Sequence, residues 1–293
     1  MSHTSFKQVV TPDTTGTERR QSALPATAAC HRAAVGRVID EMRARIDEPL
    51  PLRHLAEVAA ISPYHFNRVF RQVTGIPPCQ FLYALRLEVA KRLLLTTNLS
   101  VTDVCFEVGY NSLGTFIRRF NDLLGLSPSR LRSLSHTSVE KLLISFGELP
   151  ASTGGWSAHG LSGRVHAPMS FRGLIFVGLF TTPIPQGRPK VGTVLDGPGS
   201  YLLPRVPDGR YFLFAAGLAR PEDPTEYFLH ESALRGGGQV VMVSGGHAAD
   251  VTDIHLRPAA SFDPPLLMTL PLLLDNFARP QGRPLGVVAA GHA

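Results

Sequence analysis

Cysteine is scarce in this 293-residue chain, which carries only Cys30, Cys79 and Cys105. Three thiols at irregular spacing build neither a disulfide framework nor a zinc knuckle, and each is expected as a buried, reduced side chain. Long apolar runs are also lacking. Leu174–Phe180 and Leu266–Leu274 are the greasiest stretches, well short of the roughly 20 residues that a membrane span needs, and Pro271 interrupts the second. The segment Met1–Ala29, rich in Ser and Thr, has no apolar stretch of the kind a secretory signal requires. Charged residues make up only 18% against 44% hydrophobic, which excludes wholesale disorder. The expectation is a cytoplasmic protein, without a membrane partner and long enough for two domains.

The net charge of +6 is unevenly spread. Between Cys30 and Leu134 there are 14 Lys or Arg against 9 Asp or Glu, whereas from Ala151 onward the numbers are 11 and 10. A polyanionic partner would therefore be met by the first half. Composition changes near Ser135. Before it lie long apolar-periodic runs with little Gly; after it, Gly and Pro punctuate short apolar segments, as in Pro183-Ile184-Pro185 and Gly236-Gly237-Gly238. The first pattern reads as helix and the second as β structure. Four segments follow: a disordered N-terminal segment (1–30), a helical domain (31–135), a linker (136–158) and a β domain (159–293).

In the helical part, Val35, Val38, Ile39, Met42 and Ile46 mark one face of a helix that Pro49 and Pro51 stop. A short helix follows with Leu52, Leu55, Ala56 and Ala59 on one face. Ser62 then stands as an N-cap before Pro63, opening a helix that buries Phe66, Val69, Phe70 and Val73 and ends at Gly75. Two short helices around a tight turn form a helix-turn-helix. Shifting the frame by 50 residues superimposes Glu57-Val58 on Glu107-Val108, Ser62 on Ser112, Phe66 on Phe116, Arg68 on Arg118, Phe70 on Phe120, Gly75 on Gly125 and Pro78 on Pro128. Between the copies runs a helix from about Cys79 to Thr96, with Phe81, Leu82, Leu85, Val89 and Leu93 inward. At ~1.5 Å per residue it holds the two modules roughly 27 Å apart. Ser100 and Asp103 form a capping box that starts the second copy.

Two recognition helices, Ser62–Thr74 and Ser112–Leu124, held about one DNA turn apart fit successive major-groove segments of double-stranded DNA without dimerisation. Their outward positions are Tyr64, His65, Asn67, Arg68 and Arg71 in the first, and Leu113, Thr115, Ile117, Arg118, Arg119 and Asn121 in the second. Arg and Asn side chains pair with guanine and adenine edges, and Thr and aromatic side chains meet the thymine methyl. His65 is placed to touch a phosphate, and Arg119 has a solvated surface charge as its alternative reading. Phe66, Phe70, Phe116 and Phe120 belong to the core. Arg86 and Arg92, on the connecting helix, suit internal ion pairs or phosphate contacts.

Residues His31–Leu134 closely resemble the DNA-binding domain of AraC/XylS-type transcriptional regulators. The resemblance is carried by Leu52…Leu55-Ala56, Ser62, Phe66-Asn67-Arg68-Val69-Phe70, Gly75 and Arg86. It continues through Ala90, Leu93-Leu94, Val108-Gly109-Tyr110, Phe116-Ile117-Arg118-Arg119-Phe120 and Gly125-Leu126-Ser127-Pro128. It implies that Tyr64, Asn67 and Arg68 match first-helix positions that reach bases, and that Leu113, Gly114, Thr115, Ile117 and Arg118 match those of the second helix. Leu113-Gly114 stands where polar residues are common in that family, which points to weaker or more apolar base reading by the second helix. Gly114 lowers helix propensity by ~1 kcal/mol relative to Ala, and in the first turn it permits close approach to DNA.

The second half reads as strands at Gly163–Val165, Leu174–Phe180, Ser200–Leu203, Arg210–Ala216, Gln239–Val243 and Val251–Leu256, a spacing expected of an antiparallel sandwich. Gly163-Arg164-Val165, Gly173-Leu174-Ile175-Phe176-Val177 and Val206-Pro207-Asp208-Gly209-Arg210-Tyr211 resemble, in layout, a transthyretin-like or carboxypeptidase-regulatory-like sandwich. No catalytic spacing emerges. His230-Glu231 lacks the second histidine of a zinc-protease helix, Ser244-Gly245-Gly246-His247 lacks the nucleophile-elbow spacing, and Gly236-Gly237-Gly238 is not followed by Lys-Ser/Thr. His159, His166, His247 and His255 show no metal-ligand pattern.

The expected fold is thus multidomain α + β. An all-α double helix-turn-helix, with homeodomain-like repeats joined by a long helix, precedes an all-β antiparallel sandwich with an accessory or regulatory role. The expected function is a sequence-specific, DNA-binding transcriptional regulator, not an enzyme, with no cofactor and no metal. RNA polymerase, a small-molecule effector of the β domain and a homodimer stay open as partners. An enzyme with an appended DNA-binding module is the rival from another class.

Overall fold

The computed structural model describes residues 15–133, 160–187, 189–219, 228–229, 232–248 and 252–267, with side chains from 27 onward. The expected linker, 136–158, lies outside the described residues. So do His159, His230-Glu231 and the first fourteen residues of the segment expected to be disordered. The first helix, α1 (Thr15–Ala44), begins inside that segment.

Among the described residues seven helices follow one another: α1, α2 (Leu52–Ala59), α3 (Pro63–Thr74), α4 (Pro78–Thr96), α5 (Val101–Glu107), α6 (Leu113–Leu124) and α7 (Pro128–Ser133). They share two apolar cores. The first gathers Val35, Val38, Ile39 and Met42 of α1 with Leu55, Phe66, Phe70 and Phe81. The second gathers Leu87, Ala90 and Leu94 of α4 with Val104, Phe116, Phe120 and Leu131. Helix α4 contributes to both and is buried around most of its circumference, Arg86 and Lys91 included. The burial is broader than the one-sided pattern read from the sequence, and Val89 and Leu93, expected inward, are half-buried against the second core. Two of the three cysteines also differ from expectation. Cys30 and Cys79 are exposed, on the solvent side of α1 and in the first turn of α4, and only Cys105 is buried.

The described residues after them form eight strands: β1 (Gly160–His166), β2 (Gly173–Phe180), β3 (Val191–Leu195), β4 (Gly199–Pro204), β5 (Gly209–Ala219), β6 (Leu234–Ser244), β7 (His247–Ala248) and β8 (Ile254–His255). They form one continuous sheet of order β3-β2-β5-β6-β7-β1-β4, with β8 against β1, where the sequence suggested two packed sheets. The edges β3 and β4 come close together, so the sheet curls into a nearly closed barrel. Its interior takes Leu161, Ile175, Val177, Leu179, Leu203, Leu213, Val241 and Val243 from β1, β2, β4, β5 and β6, so one core is enclosed by one sheet. The register slips between Leu213 and Phe214 opposite β6. There Gly237 has φ +96°, and a Cβ on it would stand 2.3 Å from the Leu213 carbonyl oxygen. A bulge of this kind adds local bend and twist to a strand pair, which helps a sheet curl instead of splitting. Val251–Leu256, read as one strand, is strand only at Ile254–His255, and Val251 lies outside the described residues.

The β barrel is joined to both helical cores. Ile184 enters the first, and the Phe262 ring lies 3.8 Å from the position a Cβ would take on Gly36 of α1. Phe228 and Leu267 enter the second. The Gly187 amide donates to the carbonyl oxygen of Leu123, at the C-terminal end of α6.

Candidate nucleic-acid interface

Helices α3 and α6, the two expected to read DNA, begin and end as their local sequence dictates, with one exception. Pro63 occupies the first position of α3 with its fixed φ, and Gly75 (φ +83°) closes it with its N–H donating to the Arg71 carbonyl oxygen. Gly125 (φ +83°) closes α6 in the same way, onto Asn121. The capping box before α5 is formed: Ser100 Oγ accepts from the Asp103 amide, and Asp103 Oδ2 accepts from the Ser100 amide, both at 3.1 Å. Ser112 caps α6 by accepting from the Thr115 amide. Ser62 is the exception. It holds the N-cap backbone conformation, but its side chain makes no capping hydrogen bond.

The repeat has two offsets. From the N-caps onward the equivalence is 50 residues, Ser62 to Ser112 and Gly75 to Gly125. In the preceding helix and turn it is 49. The Ala60 and Ile61 amides donate to the carbonyls of Glu57 and Ala56, and the Gly109 and Tyr110 amides donate to those of Phe106 and Cys105. Burial agrees, because Leu55, Ala56 and Ala59 correspond to Val104, Cys105 and Val108. The match of Glu57-Val58 to Glu107-Val108 is therefore a coincidence of letters, and the second turn contains one extra residue before its N-cap.

That turn also anchors the two modules to each other. The Arg86 guanidinium, on α4, donates from Nε to the Ile46 carbonyl at 2.9 Å and from Nη2 to that of Glu48 at 2.6 Å. Burial lowers its pKa, and its partners are backbone oxygens at the end of α1 rather than a carboxylate or a phosphate. Gly109 (φ +76°) packs directly onto this junction.

The expected base-reading positions divide by exposure. On α3, Tyr64 is 90% exposed with its ring clear of the core, and Asn67, Arg68 and Arg71 are exposed as well. His65 is half-buried; its Nδ1 lies 3.2 Å from Arg68 Nη2, and its ring meets that of His31 edge-on. On α6, Gly114, Arg118 and Asn121 are exposed. Leu113 and Ile117 pack partly into the second core, and Thr115 is half-buried. Arg119 turns inward, its guanidinium carbon 3.7 Å from the centre of the Tyr83 ring. A cation stacked on an aromatic face is held as packing, unlike the free Arg118 beside it. The contact between Gly187 and α6 falls at the end of the helix opposite Gly114.

In the β domain, His166 and His255 stack at 4.6 Å between ring centres, and His166 Nε2 lies 3.3 Å from Asp253 Oδ2. Asp253 is held below the usual carboxylate range, first by the Arg164 amide and then by His166. Among the described residues no three His, Cys, Asp or Glu side chains are placed to hold a metal ion. Sequence reasoning missed Arg235 and Arg257, which β6 and the segment after β8 bring side by side. Their amides and carbonyls pair across an antiparallel bridge, a contact that no local pattern signals.

A family described as a helix-turn-helix domain matches residues 55–133. The HTH-type transcriptional activator AarP of Providencia stuartii is 36% identical over 95 residues, covering 32% of this chain and 70% of that protein. The bifunctional transcriptional activator/DNA repair enzyme AdaA of Bacillus subtilis is 34% identical over 88 residues, covering 30% of this chain and 42% of that protein. The chain thus spans less than half the length of AdaA. Among solved structures, the DNA-binding domain of the global transcriptional factor AdpA in complex with a target DNA is similar, with 32% identity. That alignment covers 34% of this chain and 89% of that one, with a TM-score of 0.33. Among the described residues no helix is long and apolar enough to cross a membrane.

Proposed function

Since the chain belongs to the AraC-type family of helix-turn-helix transcriptional regulators, we propose that it binds promoter DNA sequence-specifically through two recognition helices seated in adjacent major-groove segments. The observation that carries this reading is the pairing of two helices with buried phenylalanines on one side and exposed polar side chains on the other. Tyr64, Asn67 and Arg68 project from α3, and Arg118 and Asn121 from α6. N-terminal residues of a recognition helix are the ones that meet base edges. An exposed tyrosine whose ring is unpacked costs solvation unless a partner covers it, and DNA supplies that cover.

The two helices do unequal work in this reading. Helix α3 offers an aromatic side chain, an amide and two guanidiniums, and reads bases by hydrogen bonds. Helix α6 offers Arg118 and Asn121 beside a bare Gly114, so its contribution is one strong contact plus close backbone approach. Arg71 grips phosphate, while Arg119 supports the helix from behind by stacking on Tyr83. The β barrel, joined to both helical cores, acts as an accessory or regulatory domain.

Selection of bound sequences from a random duplex pool tests this reading. Two short sequence blocks with centres about 10–10.5 base pairs apart are expected, the α3 block the more sharply specified. A single block, or no enrichment at all, would contradict it.

A further inference from the structure

Beneath the segment that follows β8 lies a cavity of about 220 Å³ on the outer face of β2, β5 and β6. Its walls are apolar: Phe176 and Phe180 from β2, Phe214 from β5, Pro185, Pro189 and Leu266. Its charged side is made by Arg235, Arg257 and Asp263. The two arginines are not equivalent. Arg257 is held by a bidentate pair, Nη1 to Asp263 Oδ2 at 2.7 Å and Nη2 to Oδ1 at 2.8 Å, and Nη1 also donates to the Pro258 carbonyl. Arg235 donates from Nη1 to the Pro264 carbonyl at 2.6 Å, but its buried Nε has no acceptor among the described residues. Burial lowers the Arg235 pKa, outweighing the attraction of Glu88 on α4 and of Asp263. Arg235 lines the cavity without a carboxylate of its own in hydrogen-bond contact, so an anion entering beside the guanidinium gains a charge-assisted partner.

We propose that this cavity is a binding site for a small amphipathic carboxylate, its apolar body against Phe176, Phe180 and Phe214 and its carboxylate on Arg235, and that occupancy is relayed to α4. Mostly apolar walls with one or two converging polar groups are the usual make-up of a small-molecule site. The volume lies below the roughly 300–1,000 Å³ of drug-sized sites, so the ligand is small. A carboxylate suits the site better than a phosphate dianion, because Asp263 already occupies Arg257 and Glu88 faces the same guanidinium.

The relay is a chain of contacts. Leu266 forms a wall of the cavity, and its carbonyl accepts from Nζ of Lys91, a lysine of α4 that is only 1% exposed. The next residue, Leu267, is buried in the core beneath α6. A ligand that displaces Leu266 therefore presses on the helix that joins the two recognition modules. This second part rests on the DNA-binding reading above; the site itself does not.

The test is calorimetry on the full chain with phenylacetate as probe and phenylacetamide as its uncharged counterpart. Phenylacetate is expected to saturate one site, with the amide at least ~10-fold weaker. Thr193 of β3 also lines the cavity; Arg235→Met and Thr193→Phe, the first removing the charge and the second filling the cavity, should each weaken binding by a similar factor. Thr193→Phe keeps the Arg235–Pro264 bond, so it decides the matter if Arg235→Met fails to fold. No saturation by the acid, equal binding of acid and amide, or unchanged binding by Thr193→Phe would overturn the site. Fluorescence anisotropy on DNA from the random-pool selection then reads the relay. A shift of about 5-fold or more in DNA affinity on adding phenylacetate supports it, and an unchanged affinity with the site filled overturns the relay alone.

Discussion

Arg86 and Gly109 interlock across the junction between the two helix-turn-helix modules: a Cβ on Gly109 would stand 2.7 Å from Nη2 of Arg86 and 2.6 Å from the Asp47 carbonyl oxygen. The guanidinium in turn holds the end of α1 through the carbonyls of Ile46 and Glu48. The turn of the second module is thereby fixed against the first, in addition to the continuous α4. Two recognition helices are useful for reading a bent or straight duplex only if their spacing is set, and this junction sets it.

Gly109→Ala should therefore be severe. The residue has φ +76°, where a side chain is strained, and it has no room for a methyl group. A loss of about 2–4 kcal/mol is expected from strain and overpacking together, read by thermal or urea unfolding. Gly114→Ala is the contrasting case, because nothing lies within 4 Å of its would-be Cβ. It should gain ~0.5–1 kcal/mol in stability and yet weaken DNA binding if the α6 backbone approaches the duplex closely.

The neighbouring arginines of α6 should separate by assay. Arg118→Ala should cost ~1–3 kcal/mol on a selected site with little effect on unfolding. Arg119→Ala should cost ~0.5–2 kcal/mol of stability by loss of its stack on Tyr83. Equal DNA-binding losses for both would show that Arg119 leaves Tyr83 to meet the duplex.

Salt should act strongly on binding. If six or more phosphates are neutralised by the helical half, affinity should fall on the order of 10³-fold between about 50 and 200 mM salt. A flat salt response would remove the electrostatic basis of the interface.

Acid should loosen the barrel at a definite place. Asp208 accepts from the Gly246 amide at 2.9 Å and the Gly245 amide at 3.0 Å, which lowers its pKa below the ordinary 3.8. Its contribution is complete above 3.8 and is lost as the pH falls through the lower folded value. Asp208→Asn should therefore lower the melting temperature near pH 7, with a difference that shrinks as the pH is taken below 3.8, followed by calorimetry across that range.

Much of the helical half was legible from local pattern. Phe66, Phe70, Phe116 and Phe120 repeat at helical spacing, and Gly75 and Gly125 end their helices where left-handed backbone is required. The limits of the reading were also local. Glu57-Val58 and Glu107-Val108 match as letters, but hydrogen bonding and burial put the equivalence one residue earlier. Arg119 shows no sequence difference from Arg118 that would reveal its turn toward Tyr83, since that depends on a ring contributed by α4. In the β half, six strand positions were visible because apolar runs sit between turn residues. Whether such strands split into two sheets or curl as one depends on pairings such as β1 with β4 and β1 with β7, which join distant segments. The Arg235–Arg257 juxtaposition was hidden for the same reason.

Guanine N7 methylation protection on a selected duplex measures the central geometry most directly, since N7 faces the major groove. Two protected clusters about one helical turn apart are expected, with Arg68→Ala losing one and Arg118→Ala losing the other. One protected cluster, or two that respond to the same single substitution, would contradict a protein that lays both helices along the groove at once.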